Sequence, residues 1–290
     1  MADKRVIGVD VGGTKIHAGR LDVEGRVEAS IERPTPVESQ EVLLATLVGM
    51  VRELQTPEVV AVGLGVPARV DQRTGGVLGA VHVPLEDLAF RAEMREWLGL
   101  PITVDNDASA AALAEHRLGA GRGTRELVLL TLGTGVGGGV VTGGRLYRGW
   151  AELGHMVIVQ DGEPCLGACS GRGHVESYCS GGAATRIARR ELGPDASAHD
   201  LLEQRHPAVA EIGRHLGTAI GSVVNAFGPE IVVIGGGFGL AAFDQLEEPA
   251  RAQIRREALP PAGEVPVVRA ELGVEAGMIG AGLAARDALR

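Results

Sequence analysis

Positive charge is scarce in this chain of 290 residues: Lys4 and Lys15 are its lysines, the other cations are arginines, and the formal net charge is −9. No run of basic residues occurs, which argues against a nucleic-acid binder, because neutralising phosphates requires a basic face. The arginine bias itself reads as codon usage rather than chemistry. No stretch of about 20 uninterrupted apolar residues is present, so a membrane-spanning helix is not expected. The N-terminus, MADKRVIGVD, carries no apolar signal segment, and the first strand pattern begins near Arg5, which leaves no room for an N-terminal domain. The 3 cysteines are an odd number without a secretory segment, and point to a reducing compartment where thiols stay free or bind metal. A cytoplasmic protein without nucleic-acid or membrane partners is the expectation.

Apolar residues make up 45% of the chain, ample for a core that needs no disulfide or metal to hold it. Glycine is the unusual residue; the 44 glycines fall in clusters at strand ends, a pattern suited to backbone that approaches a ligand closely. Runs rich in β-branched residues at 5–11, 59–66 and 102–104 alternate with helical patterns at 38–55, 91–98 and 107–118, which predicts an α/β domain. A second cycle predicts strands at 126–132, 137–142, 156–159, 231–236 and 265–270, and helices at 180–192, 206–226, after 236, and 274–289. Both cycles open alike: VIGVDVGGTKIHAGRLD and VLLTLGTGVGGGVVTGGRLY each read strand, glycine turn, strand. The repeat predicts two related domains facing each other across a cleft, 1–118 and 119–273, with the boundary in HRLGAGRGTR and the helix 274–290 packing back on the first.

The segment GTGVGG (133–138) satisfies G-x-G-x-x-G formally, but the chain continues as a strand instead of opening a helix, so this is a hairpin turn and not a dinucleotide fingerprint. No G-x-x-x-x-G-K-[ST] loop occurs either. Two readings of each hairpin turn are open. Consecutive backbone N–H groups form a concave anion site, so two facing turns would clamp a polyphosphate. Alternatively, glycine merely meets the positive φ of a tight turn. For IGGGFG (234–239) a flat shelf against a base or ribose competes with close strand–helix packing.

The ordered motifs DVGGTK, NDASAAALAE, GTGVGGG, ELGH and GRGHVESYCSG resemble the ROK family of bacterial glucokinases, other sugar and amino-sugar kinases, and sugar-responsive repressors, over essentially the whole chain. The resemblance implies the two-domain actin-like ATPase (ribonuclease H-like) fold, α/β in class, with ATP and sugar in the cleft. It also implies nucleotide binding by Asp10, Gly12, Gly13, Thr14 and Lys15, by Thr134 and Gly135, and by Gly235, Gly236 and Gly237. Asp107 corresponds to the catalytic base, with Asn106 beside it on the sugar and Glu152, His155 and Glu176 as further sugar-binding groups. A sugar hydroxyl has a pKa far above neutrality, so a carboxylate within reach must take its proton as the bond to phosphorus forms. Asp107 also stands where it would cap the following helix, and the two roles are compatible. GVPARVD (65–71) resembles the family's G-x-P-G-x-x-D loop, except that Ala68 replaces a common glycine.

The family's metal motif, C-x-C-G-x-x-G-C-x-E after the ELGH histidine, is altered in this chain. CLGACSGRGH (165–174) reads C-x3-C-x4-H, and with His155 it offers two sulfurs and two nitrogens: His155, Cys165, Cys169 and His174. Tetrahedral zinc accepts that set, which predicts one structural Zn2+; Cys179 is expected to be a core thiol. The resemblance therefore implies an Mg2+- and ATP-dependent hexose kinase, glucose first, acting as a homodimer. Fructose, mannose, N-acetylmannosamine and N-acetylglucosamine are the alternative acceptors, polyphosphate an alternative donor, and a non-catalytic sugar sensor the rival class.

Overall fold

The computed structural model describes residues 4–80, 83–85, 89–166 and 169–289, so Gly167 and Ala168 of the altered metal loop lie outside the described residues. The chain forms two compact units: Met1–Leu118 with Leu146–Trp150 and Glu275–Arg290, and Gly119–Arg145 with Ala151–Val274.

In the first unit β1 (Arg5–Val11), β2 (Lys15–Leu21) and β3 (Val27–Pro34) form an antiparallel meander. The chain then runs through α1 (Gln40–Leu54) to β4 (Val59–Val66), which lies parallel to β1. A small hairpin, β5 (Arg69–Asp71) and β6 (Gly76–Leu78), precedes α2 (Phe90–Leu98), β7 (Ile102–Asn106) and α3 (Asp107–Leu118). The sheet order is β3-β2-β1-β4-β7. In the second unit β8 (Leu127–Leu132), β9 (Val136–Thr142) and β10 (Arg145–Leu146) are followed by the helices α4 (Glu176–Cys179), α5 (Gly181–Leu192), α6 (Ala198–Glu203) and α7 (Pro207–Phe227). Then come β11 (Ile231–Gly235), α8 (Gly237–Glu257) and β12 (Val267–Arg269), in the sheet order β10-β9-β8-β11-β12. Each sheet thus places its strands third, second, first, fourth, fifth, the duplicated topology of the actin-like ATPase fold. Among the described residues no helix is long and apolar enough to cross a membrane.

The last helix, α9 (Ala276–Asp287), belongs to the first unit, where it packs on β1, β4 and α3. Glycine makes the approach possible: a Cβ on Gly8 or Gly63 would strike the α9 carbonyls of Met278 and Ala281, and one on Gly280 would strike the Ala110 carbonyl. With backbone against backbone, α9 sits deep enough to bring its first turn to the end of β1.

Three local expectations need correction or addition. Residues 156–159 are not a strand: a 3-10 turn, Leu153–His155, leads into one isolated bridge between Val157 and His174. The apolar run there is used to hold a loop, through Val175 N–H to the Met156 carbonyl (2.9 Å) and Ile158 N–H to the Gly173 carbonyl (2.8 Å). The strand β3 escaped notice because it is a largely exposed edge whose polar residues carry no core signal. Helix α6 is too short for periodicity, but its capping box is legible afterwards in Ser197 and Asp200.

Candidate active site and metal loop

The strand β1 ends in Asp10 and Val11 and turns through Gly12, Gly13 and Thr14 into β2. The turn is tied from below: Gly12 N–H donates to the Lys15 carbonyl (3.0 Å), Thr35 Oγ1 to the Gly12 carbonyl (2.6 Å) and Thr35 N–H to the Thr14 carbonyl (2.9 Å). Gly13, Thr14 and Lys15 are exposed. The ammonium of Lys15 pairs with Glu32 Oε2 across the meander at 2.7 Å.

Asp10 lies against the first turn of α9, where a Cβ on Gly277 would come within 2.5 Å of its Oδ2. Burial of the carboxyl pushes its pKa up to about 8, and the negative charge of Asp107 adds to the shift. A carboxyl whose folded pKa is raised stabilises the fold below its ordinary value of 3.8, and that contribution is lost as pH rises through about 8. Asp10→Asn is therefore expected to raise the melting temperature of the ligand-free protein, with a gain that grows from pH 5 to pH 9 in calorimetry. A gain that shrinks over that range would show Asp10 to be stabilised as the anion.

At the same C-terminal end of the parallel strands β7 delivers Asp105 and Asn106, and Asp107 opens α3. The capping role expected of Asp107 falls mainly to Asn106, whose Oδ1 accepts from Ser109 N–H at 3.0 Å. The Oδ1 of Asp107 accepts from Ala108 N–H (2.8 Å) and from Asn106 Nδ2 (3.0 Å), and Asn106 Nδ2 also reaches the Ala68 carbonyl (3.4 Å). The carboxylate is thereby fixed in orientation at the N-terminus of α3, where the helix dipole favours its charge. A cavity of about 800 Å³ in the same unit, with Arg91, Arg95, Thr74 and Thr103 in its wall, includes none of these residues.

In the second unit the turn Gly133-Thr134-Gly135 joins β8 to β9 and is closed by Gly133 N–H donating to the Gly135 carbonyl at 2.9 Å. The carbonyls of Gly133 and Thr134 accept from Gly181 N–H (2.7 Å) and Gly182 N–H (3.2 Å) at the start of α5. Glu176 is docked on this turn: its Oε2 accepts from Val136 N–H at 3.0 Å, in space that a Cβ on Gly135 would fill. Gly236, between β11 and α8, has φ +80° and lies beside the Leu132 backbone, where any side chain would collide. Nothing lies within 4 Å of a Cβ on Gly237, so the surface there is open.

Glu152 precedes the 3-10 turn that carries His155. The rings of His155 and His174 point their Nδ1 atoms at each other, 3.2 Å apart. Cys165 Sγ is 3.7 Å from His155 Nδ1 and Cys169 Sγ 3.8 Å from His174 Nδ1, and the four ligand atoms all lie within 4.8 Å of one another. Tetrahedral zinc with bonds of about 2.0–2.1 Å to nitrogen and 2.3 Å to sulfur has edges of about 3.3 Å (N–N) and 3.6 Å (N–S), so the donor set fits the ion. Burial pushes the Cys165 thiol up to about 12, with Cys169 adding to it. Cys165 Sγ also meets Glu176 Oε1 at 3.9 Å, which links the metal loop to the glycine turn. Cys179 is fully buried in the core of this unit, its thiol near the Ile212 carbonyl and pushed upward by burial.

Sequence reasoning passed over Gln72 and Arg148. Both meet Asp105 inside the first unit, and their distance along the chain, 33 and 43 residues, leaves no motif to find them by.

Comparison with known proteins gives a consistent neighbourhood. The pattern of the ROK family matches residues 6–288. Glucokinase of Streptomyces coelicolor is 32% identical over 97% of this chain and 97% of its own. N-acetyl-D-glucosamine kinase of Vibrio cholerae is 31% identical over 94% of this chain and 97% of its own. The crystal structure of a ROK family glucokinase from Streptomyces griseus, in complex with glucose and AMPPNP, superposes with a TM-score of 0.85 at 31% identity, covering 98% of this chain and 99% of that one.

Proposed function

This chain belongs to the ROK family and is an ATP-dependent sugar kinase, and from that premise we propose that it phosphorylates the 6-hydroxyl of a hexose, with glucose the preferred acceptor. The observation that carries the reading is Asp107, a carboxylate held by two donors on one oxygen at the head of α3. In the proposed step the hydroxyl oxygen bonds to the γ-phosphorus, the bond from that phosphorus to the β,γ-bridging oxygen breaks, and the hydroxyl proton passes to Asp107. Mg·ATP is the donor, with Gly12, Gly13, Thr14 and Lys15 and the second turn, Thr134 and Gly135, against its phosphates, Asp10 on the metal side, and Gly235, Gly236 and Gly237 against the adenosine. Glu152, His155 and Glu176 orient the sugar with Asn106, since a carboxylate can accept from two neighbouring hydroxyls at once.

We further propose that His155, Cys165, Cys169 and His174 hold one structural zinc, which when bound fixes the loop and polarises both imidazoles. His155 turns Nδ1 toward the ligand cluster, so Nε2 is the ring atom left to meet a sugar hydroxyl.

An N-acetylated hexosamine is the second acceptor to test, because relatives acting on N-acetyl-D-glucosamine align over nearly the whole chain. A coupled assay across glucose, mannose, fructose, N-acetylglucosamine and N-acetylmannosamine, with ATP and polyphosphate as donors, separates these readings. Glucose with ATP is expected to give a kcat/KM at least about tenfold above any other pair, the low end of what one missing or added group in a pocket costs. A higher value for an amino sugar would move the substrate, and no turnover with any sugar would remove the kinase reading.

A further inference from the structure

Asp105 is a buried acid of the first unit that the proposed chemistry does not use. Its side chain is 8% exposed, and three donors converge on it from three separate segments. Arg148 Nη1 donates to Oδ2 at 2.5 Å, while Gln72 Nε2 and Asn106 N–H each donate to Oδ1 at 3.0 Å. Arg148 Nη1 also donates to Gln72 Oε1 at 3.3 Å, which closes the triangle.

The segment that brings Arg148 is unusual. Leu146–Trp150 packs with the first unit although the residues on both sides of it belong to the second. A second anchor holds it there: the Arg69 guanidinium on β5 lies 5.1 Å from the centre of the Trp150 ring. The next residue, Ala151, takes a positive φ of 39°, a strained conformation for a residue with a side chain, and Glu152 follows directly. In the other direction Asp105 holds the N–H of Asn106, and Asn106 caps α3 and donates to Asp107. One ion pair therefore stands one residue from the group that orients the candidate base and four residues from a candidate sugar ligand.

Burying a carboxylate is costly, and its partner Arg148 is half-exposed, so the pair contributes little net stability. Its geometry is directional, however, and two charged groups bridged by an amide allow few arrangements. We propose that Asp105 and Arg148 are positioning residues for phosphoryl transfer, a proposal that rests on the kinase reading above: the pair sets the Asn106–Asp107 end of β7 and, through Gly149–Ala151, the position of Glu152. Neither residue touches the reacting atoms.

Steady-state kinetics of Arg148→Ala, Arg148→Lys and Asp105→Asn, with sugar and ATP varied separately, test the pair. Because misplacement by about 1 Å can cost 10²-fold, Arg148→Ala is expected to lower kcat/KM for the sugar by about 10–100-fold, with KM for ATP within about twofold of the parent. Arg148→Lys keeps the charge without the planar fork and is expected to recover part of the loss. An active parent whose three variants all stay within about twofold in kcat/KM for the sugar would overturn the proposal. So would a loss shared equally by the ATP and sugar parameters, which marks a general structural defect. Hydrogen exchange of Arg148→Ala against the parent provides a readout that does not depend on turnover. Peptides covering 102–110 and 147–155 are expected to lose protection together while β8–β9 peptides do not, and unchanged protection in either would refute the coupling. An inactive parent would count against the kinase reading alone, and the exchange comparison would still decide the pair.

Discussion

Asp107→Asn is expected to lower kcat by about 10²–10⁴-fold while KM for the sugar stays within a few fold, the loss that follows removal of a general base. The substitution is mild for the fold. An asparagine oxygen can still accept from Ala108 N–H and Asn106 Nδ2, so the start of α3 keeps its hydrogen bonds. What disappears is the capacity to take a proton, together with one negative charge next to Asp10. That second effect supplies an internal control: without the charge of Asp107, the pKa of Asp10 is expected to fall below about 8, toward its ordinary range, in a carboxylate-sensitive titration. The obvious substitute for Asp107 is a poor one. Both oxygens of Asp105 are already engaged by Arg148, Gln72 and the Asn106 amide, which leaves neither free to face a sugar hydroxyl, although burial raises its pKa against the pull of Arg148. If Asp107→Asn kept full kcat, the proton would have to leave by water or through the phosphate itself, and the base assignment would be wrong.

The fold was legible where one period dominated. The boundaries of α3 follow from an alanine-rich run after a β-branched strand, and both hairpin openings follow from glycine turns between apolar strands. Residues 156–159 failed for a physical reason: four apolar residues fit a strand, but the carbonyls and amides there pair with a loop rather than a neighbouring strand. The division of labour between Asn106 and Asp107 could not be read either, because adjacent polar residues at a helix start are interchangeable in sequence and distinct only in geometry. The depth of α9 was hidden for the same reason. Gly8, Gly63 and Gly280 lie far apart in the chain, and only together do they let one helix reach Asp10. Ligand types in the metal loop were visible as C-x3-C-x4-H, whereas the inward turn of both Nδ1 atoms and the docking of Glu176 on the second turn depend on tertiary contacts.

Removing the proposed zinc is expected to be the other large perturbation, and its pattern should differ from that of Asp107→Asn. Elemental analysis of the purified protein is expected to give about one zinc per chain, falling close to zero in Cys169→Ala and His174→Ala. The ligands come from two segments, the turn ending at His155 and the loop from Cys165 to His174, joined by backbone bonds from Ile158 and Val159 N–H to the Gly173 carbonyl and from Val175 N–H to the Met156 carbonyl. Losing the ion leaves two thiols and two imidazoles within 4.8 Å, joined by hydrogen bonds in place of coordination. The loop would then release Glu176, whose Oε1 meets Cys165 and whose Oε2 caps the second turn at Val136. The expected result is a rise in KM for the sugar of about tenfold or more, in line with the 10–100-fold effects of disturbing metal-site surroundings. KM for ATP should rise as well if Glu176 shapes the Thr134–Gly135 turn, and stay constant if the turn stands on its bonds to α5 alone. Cys179→Ala is the control, since that thiol is buried 0% exposed in the core and should leave zinc content unchanged. A wild-type chain that carries no zinc after expression with ample metal, yet turns over sugar fully, would mean that His155 is held by packing and hydrogen bonds rather than by coordination. In that case His174→Ala should leave KM for the sugar unmoved, so the two experiments together separate a coordinated loop from a packed one.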